Sequence, residues 1–124
     1  MSKTYAPPMD VPEIDLATLG NLIDDASGHA VQLAEAAALS RLIRIAQGDT
    51  EQSRHVADFL LAWWNARSCG SFDLATLWSV DSDIAADMVT VFALIAHIHK
   101  YPDNLGYEAD FKAIVHAWRP ELTG

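Results

Sequence analysis

The amino-acid sequence predicts an all-α fold, a compact bundle of five or six helices. The composition is the first observation behind this prediction. Of the 124 residues, 20 are alanine and 13 are leucine, and both residue types favour helices. The second observation is the spacing of apolar residues, which recur every three or four positions along most of the chain. No segment alternates apolar and polar residues as a half-buried strand would, so no sheet is expected.

The first twelve residues differ from the rest of the chain. They contain Pro7, Pro8 and Pro12 and show no apolar period. Such a segment is typical of a flexible arm, which we expect over residues 1–12. Residues 13–124 are expected to form a single helical domain.

Two helices are predicted in the next part of the chain, separated by a break. The first covers residues 13–25, and Ser27 and Gly28 are expected to end it because glycine lowers helix propensity. The second covers residues 29–47. Gly48 follows it, at the position where a left-handed C-terminal cap is common.

A third helix is predicted to begin after Asp49 and to run to about Arg67. Asp49 and Gln52 stand three residues apart, as in a capping box, in which each side chain binds a free backbone amide at the helix start. The helix then presents one wide apolar face. That face consists of Val56, Phe59, Leu60, Trp63 and Trp64.

Three further helices follow: a short one, a long one over residues 83–100, and a last one over residues 107–118. Asp73 is expected to cap the short helix, and Asp81 or Ser82 the long one. The long helix carries a seam at alternating four- and three-residue spacing, formed by Ile84, Met88, Val91, Ile95 and Ile98. The predicted core is Phe59, Leu60, Trp63, Met88, Val91, Ile95, Phe111 and Ile114.

The net charge disfavours several classes of partner. Eight basic residues face seventeen acidic ones, which gives a formal charge of −9. Phosphate backbones and anionic lipid surfaces repel such a chain, so direct nucleic-acid binding and membrane anchoring are not expected. No hydrophobic signal core and no apolar run of membrane-spanning length occurs. We therefore expect a cytoplasmic protein.

The sequence yields no catalytic, cofactor or metal-binding assignment. His55 and Asp58 have the i, i+3 spacing of two ligands on one helix face, but two ligands do not make a site. His97 and His99 point apart on a helix because they are two residues apart. Cys69, the single cysteine, lies in a turn without a neighbouring base and reads more simply as a small buried residue. No phosphate-binding glycine motif is present.

Four apolar residues are candidates for contact with a partner. Phe72, Leu77 and Trp78 lie in the connector between the two longest helical segments, which contains no basic residue. Trp64 is adjacent to Trp63, and two adjacent tryptophans diverge by about 100° on a helix, so one of them can lie at a rim. Exposed tryptophans are enriched where proteins bind each other. The alternative is that these side chains plug the end of the bundle.

A set of landmarks between Leu42 and Leu122 resembles a known family. These landmarks are Arg44–Thr50, Val56–Asn65, Phe72–Leu74, Leu77–Trp78, Ile84–Ala85, Asp87–Met88, Tyr101–Pro102, Leu105–Tyr107 and Trp118–Pro120. In order and spacing they are similar to an uncharacterised bacterial domain family often carried on integrative and conjugative elements. That family has no known activity, so the resemblance implies a bacterial cytoplasmic setting and assigns no residue a role.

The hypothesis that these observations favour is a non-enzymatic domain that acts by protein–protein contact, with a protein partner or by self-association. Two alternatives remain open. One is a small helical enzyme or ligand binder with a pocket between helices. The other is an acidic mimic of nucleic acid that occupies a DNA- or RNA-binding protein.

Overall fold

The computed structural model describes the backbone of residues 16–123 and the side chains of residue 28 and residues 30–123. The arm expected over residues 1–12 therefore lies outside the described residues. Contacts divide the chain into two units, Met1–Gln32 and Leu33–Gly124. The core and the candidate site described below belong to the second unit.

The predicted all-α fold is confirmed, because residues 16–123 form helices, turns and loops without a strand. The four α-helices are α1 (Leu16–Ala46), α2 (Glu51–Cys69), α3 (Ser82–Ile98) and α4 (Glu108–Trp118). Short 3-10 helices connect and end them, at Leu74–Ser79, Pro102–Leu105 and Pro120–Leu122.

The predicted break at Ser27 and Gly28 is wrong, since α1 continues through both residues. One glycine lowers helix stability by about 1 kcal/mol relative to alanine, which is too little to end a helix with good helix formers on both sides. The two helices predicted before residue 48 are thus one helix of 31 residues.

The turn between α1 and α2 also differs from the prediction. Gly48 does not adopt the left-handed conformation. It allows the Ser53 side chain to approach the backbone, because a Cβ atom at position 48 would lie 2.7 Å from the Ser53 Oγ. The N-cap of α2 is Thr50 rather than Asp49, and its hydroxyl accepts a hydrogen bond from the Ser53 amide at 3.0 Å. Gln52 does not reach back to the helix start. Its side chain binds Asp81, accepting from the backbone amide and donating to the carboxylate.

The end of α2 and the start of α3 agree better with the sequence. α2 extends to Cys69, two residues beyond the predicted end, and Gly70 follows with a φ of 103°, which favours glycine. Asp73 caps the 3-10 helix as predicted, accepting from the Ala75 amide at 3.0 Å. Asp81 occupies the N-cap position of α3 as predicted, but its side chain makes no capping hydrogen bond and binds Gln52 instead.

The core of the Leu33–Gly124 unit lies where α2, α3 and α4 meet the C-terminal part of α1. Six of the eight predicted core residues are buried, and Trp63 and Ile95 are half-buried. Both Trp63 and Trp64 pack edge-on against Phe111, each with its ring centroid 6.0 Å away. One aromatic ring on α4 therefore fixes two side chains on α2.

Polar contacts hold the ends of the helices to this core. The Trp118 indole donates to the Ala46 carbonyl at 2.7 Å, and the Trp63 indole donates to the Lys100 carbonyl at 3.1 Å. Arg119 donates to the Cys69 carbonyl at 2.9 Å and to the Asp58 carboxylate at 2.8 Å. Carbonyls at helix ends lack partners within their own helix, so the bonds to Ala46 and Cys69 stabilise the ends of α1 and α2.

Candidate functional site

Helix α3 carries two apolar seams rather than one. The predicted seam faces the core, with Met88 and Val91 buried and its three isoleucines half-buried. A second seam begins one residue later and repeats the same four- and three-residue spacing. It consists of Ala85, Val89, Phe92 and Ala96. Val89 is 59% exposed and Phe92 is 60% exposed, so this seam faces solvent.

The exposed side of α3 carries no charged side chain along three turns. Between Ala85 and Ala96 the one charged residue is Asp87, and both of its carboxylate oxygens bind Arg41 of α1 at 2.8 Å. A helix at the surface of a globular protein ordinarily has a polar outer face. An apolar outer face is typical of a helix that packs against another element on that side as well.

The 3-10 helix at Leu74–Ser79 lies beside this face of α3. Leu74 and Leu77 are one 3-10 turn apart and share one side of that helix. Together with α3 they enclose an open cavity of about 210 Å³. Only apolar side chains line it: Phe59, Phe72, Leu74, Leu77, Met88, Val89 and Phe92.

Trp78 is next to this cavity in the sequence and is 87% exposed. Trp78 therefore does not plug the end of the bundle, whereas Phe72 and Leu77 are half-buried against the core, as the alternative predicts. Here we call the four strongly exposed side chains Leu74, Trp78, Val89 and Phe92, with the cavity between the two helices, the apolar surface.

The structure separates the four predicted contact residues. Phe72 is half-buried on the cavity wall, and its ring packs edge-on against Phe59 with the centroids 5.2 Å apart. Leu77 lines the same cavity, and Trp78, the next residue in the chain, is exposed. Trp64 packs on Phe111 and lines a different cavity with Cys69 and Val115.

The sequence predicted contacts in the connector but none on α3, the helix that lines the cavity together with it. Leu74, Val89 and Phe92 were not among the predicted contacts, although all three are exposed and line the cavity. The signal that would have found two of them is the second seam in α3, at the same spacing as the first and offset by one residue.

Glu35 and His97 form the polar pair that most resembles a catalytic acid–base pair. Glu35 of α1 is buried, and both of its oxygens lie 2.9–3.0 Å from the Nε2 atom of His97 on α3. This pair fastens α1 to α3. Within the described part of the chain, no group of three histidine, cysteine or acidic side chains could hold a metal ion.

The predicted two-ligand pair is engaged elsewhere. The His55 Nε2 lies 3.5 Å from a Glu51 oxygen, and the Asp58 carboxylate binds Arg119. Cys69 is buried, as its simpler interpretation predicts, and this burial raises the pKa of its thiol. The nearby Arg119 opposes the rise and Glu121 adds to it. A raised thiol pKa disfavours the thiolate, which is the nucleophilic form.

The comparisons with known proteins place the chain in a family. No curated protein and no solved structure matches the chain. In residues 16–123, no helix has the combination of length and apolar character that a membrane crossing requires. A family model described as "Family of unknown function (DUF7673)" matches residues 36–119, which include the whole apolar surface. Because this match covers more than half of the sequence, the chain belongs to the DUF7673 family.

Proposed function

We propose that this protein is a non-enzymatic interaction domain that binds a protein partner through the apolar surface. The observation that carries the proposal is the uncharged, exposed side of α3 with Val89 and Phe92 at its centre. Leaving large apolar side chains in water forgoes about 25 cal/mol for each Å² that a partner could cover. Contiguous apolar patches on soluble proteins mark interaction sites.

The chemistry of the cavity supports binding rather than catalysis. Its lining has no ionisable side chain and no hydroxyl group, so nothing there could donate, accept or hold a proton. Helix-in-groove recognition, in which an amphipathic helix lays its apolar face into a groove, matches such a surface.

The charge distribution favours this function over mimicry of nucleic acid. A mimic needs carboxylates that are free to face a basic partner. No carboxylate lines the cavity of the apolar surface, and Asp87, the one acid between Ala85 and Ala96, binds Arg41 of the same chain.

The cellular setting that we propose is the cytoplasm of a bacterium, in association with a mobile genetic element. Its support is the resemblance of residues 42–122 to a family carried on integrative and conjugative elements. A small interaction domain is compatible with that setting, since such a domain acts through whichever complex it joins.

Affinity capture from the native host, followed by mass spectrometry, tests the proposed function. Phe92→Asp places a charge at the centre of the apolar surface and should reduce the captured partner at least about tenfold, because hot-spot residues contribute 1.4 kcal/mol or more. Leu33→Asp is the matched control, because Leu33 is an exposed apolar residue on α1 that does not line the cavity.

Both variants should keep the helical circular dichroism spectrum and the melting temperature of the parent chain. Equal capture by the parent and by Phe92→Asp would contradict the proposal. So would an equal loss in Leu33→Asp, because that result would show the effect to be independent of the surface.

A further inference from the structure

The exposed seam of α3 is symmetric about its own midpoint. Ala85 and Ala96 are its ends, and Val89 and Phe92 are its centre. Suppose that a second α3 lies antiparallel across this seam, with a two-fold axis between residues 90 and 91. Ala85 of each copy then faces Ala96 of the other copy. In the same register Val89 of each copy faces Phe92 of the other. The seam is therefore complementary to itself, as a two-fold interface requires.

The charges at the ends of α3 fit the same arrangement. Asp81 and Asp83 lie at its N-terminal end, and Lys100 follows its C-terminal end. Antiparallel packing brings the acidic N-terminal end of one copy's α3 to the C-terminal end of the second copy's α3, which Lys100 follows, and the reverse pairing forms by symmetry. Antiparallel helices also bring the positive end of one helix dipole beside the negative end of the other.

The contact face avoids the repulsion that a chain of charge −9 would otherwise meet. Between Ala85 and Ala96 the charge of Asp87 is compensated by Arg41 of the same chain. Positions 86 and 93 flank the seam and are both alanine, and these small side chains allow two helices to approach closely. Asp81 and Asp83 lie at the N-terminal end of α3, and antiparallel packing places those ends of the two copies about 20 Å apart, where salt screens their repulsion.

We propose that the occupant of the apolar surface is a second copy of this chain, with α3 packed antiparallel against α3. This inference rests on the proposed function and names its partner. The cavity beside Phe92 provides room for apolar side chains of the second copy. The seam is about 16 Å long at 1.5 Å per residue, which is short for an interface, so the dimer is weak and reversible.

Sedimentation equilibrium over about 1–500 μM protein tests the association. The parent chain should change from monomer to dimer within this range, which brackets the dissociation constant of a weak complex. Phe92→Asp should raise the dissociation constant at least tenfold, and Leu33→Asp should leave it within twofold. A dimer that persists in Phe92→Asp would overturn the proposal.

Disulfide trapping tests the orientation. In a Cys69→Ala background, Ala85→Cys and Ala96→Cys are prepared separately and then mixed under mild oxidation. Antiparallel packing places positions 85 and 96 of different copies together. Position 85 of one copy lies about 16 Å from position 85 of the other, and the same holds for position 96. This distance exceeds the roughly 7 Å between Cα atoms that a disulfide can bridge. The mixture should therefore cross-link and each variant alone should not. Cross-linking of each variant with itself would overturn the antiparallel arrangement.

Charge reversal tests the pairing of the helix ends. Lys100→Asp removes the cation beside the acidic end of the second copy's α3 and should raise the dissociation constant severalfold, and Asp83→Lys in the same chain should restore it. Failure of the double variant to recover, with its melting temperature unchanged from that of Lys100→Asp, would overturn this pairing.

The two proposals fail in different ways. A parent chain that stays monomeric up to 500 μM overturns the second-copy inference. If such a chain still captures another protein in a Phe92-dependent manner, the proposed function survives. If Phe92→Asp changes neither association nor capture, both proposals fall.

Discussion

The two seams of α3 have the same spacing and nearly the same chemistry, yet they lie in opposite environments. Met88 and Val91 are buried in the core that residues of α1, α2 and α4 share, whereas Val89 and Phe92, one residue further along, face solvent. Apolar spacing therefore indicates that a helix packs along a face. It does not indicate whether the same chain supplies the covering element.

The largest effect is expected on the buried side. Met88→Ala should lower the free energy of unfolding by about 2–5 kcal/mol, because it removes contacts and leaves a cavity in a closely packed core. Urea denaturation followed by circular dichroism measures this loss. A loss below about 1 kcal/mol would mean that the two seams differ less in their contribution to the free energy of unfolding than their burial implies.

A smaller effect is expected where α1 is fastened to α3. His97→Ala should lower the free energy of unfolding by about 1–3 kcal/mol, since the buried Glu35 carboxylate loses its hydrogen-bond partner. His116→Ala, at an exposed histidine of α4, is the control and should stay within about 0.5 kcal/mol. Equal losses in the two variants would show that the Glu35 contact adds nothing.

The exposed seam should respond differently from the buried one. Phe92→Ala should change the stability of the monomer by no more than about 1 kcal/mol, because most of its ring is already in water. Urea titration at about 1 μM, below the dimer range, isolates this effect. A loss comparable with that of Met88→Ala would place Phe92 in the core and remove the contrast.

Trp78→Ala should have the smallest effect on stability, within about 0.5 kcal/mol, since this side chain has the greatest exposure among the large apolar residues described. Thermal unfolding at low concentration measures it. A fall in melting temperature equal to that of a core substitution would mean that Trp78 packs against the end of the bundle.

The sequence predicted the parts of the fold that rest on local chemistry. The all-α class, most of the core on α2, α3 and α4, the cap at Asp73 and the inner seam of α3 followed from spacing and propensity. These features depend on residues near each other in the chain.

The errors arose where distant residues decide the outcome. Gln52 was expected to close a capping box, but Asp81, 29 residues away, takes its side chain. Gly48 was expected to be a left-handed cap, but it is required by the approach of Ser53. For the candidate site, the sequence predicted the connector but not the outer seam of α3, because apolar spacing does not show which face of a helix the rest of the chain covers.

The bonds made by Trp118 and Arg119 have a consequence for how the molecule is made. These two residues supply donors to the Ala46 and Cys69 carbonyls and to the Asp58 carboxylate, which lie 50–72 residues earlier in the chain. During translation α1 and α2 leave the ribosome long before their partners exist. The unit therefore completes its native structure only after Arg119 has emerged, and until then the Ala46 and Cys69 carbonyls and the Asp58 carboxylate lack these donors.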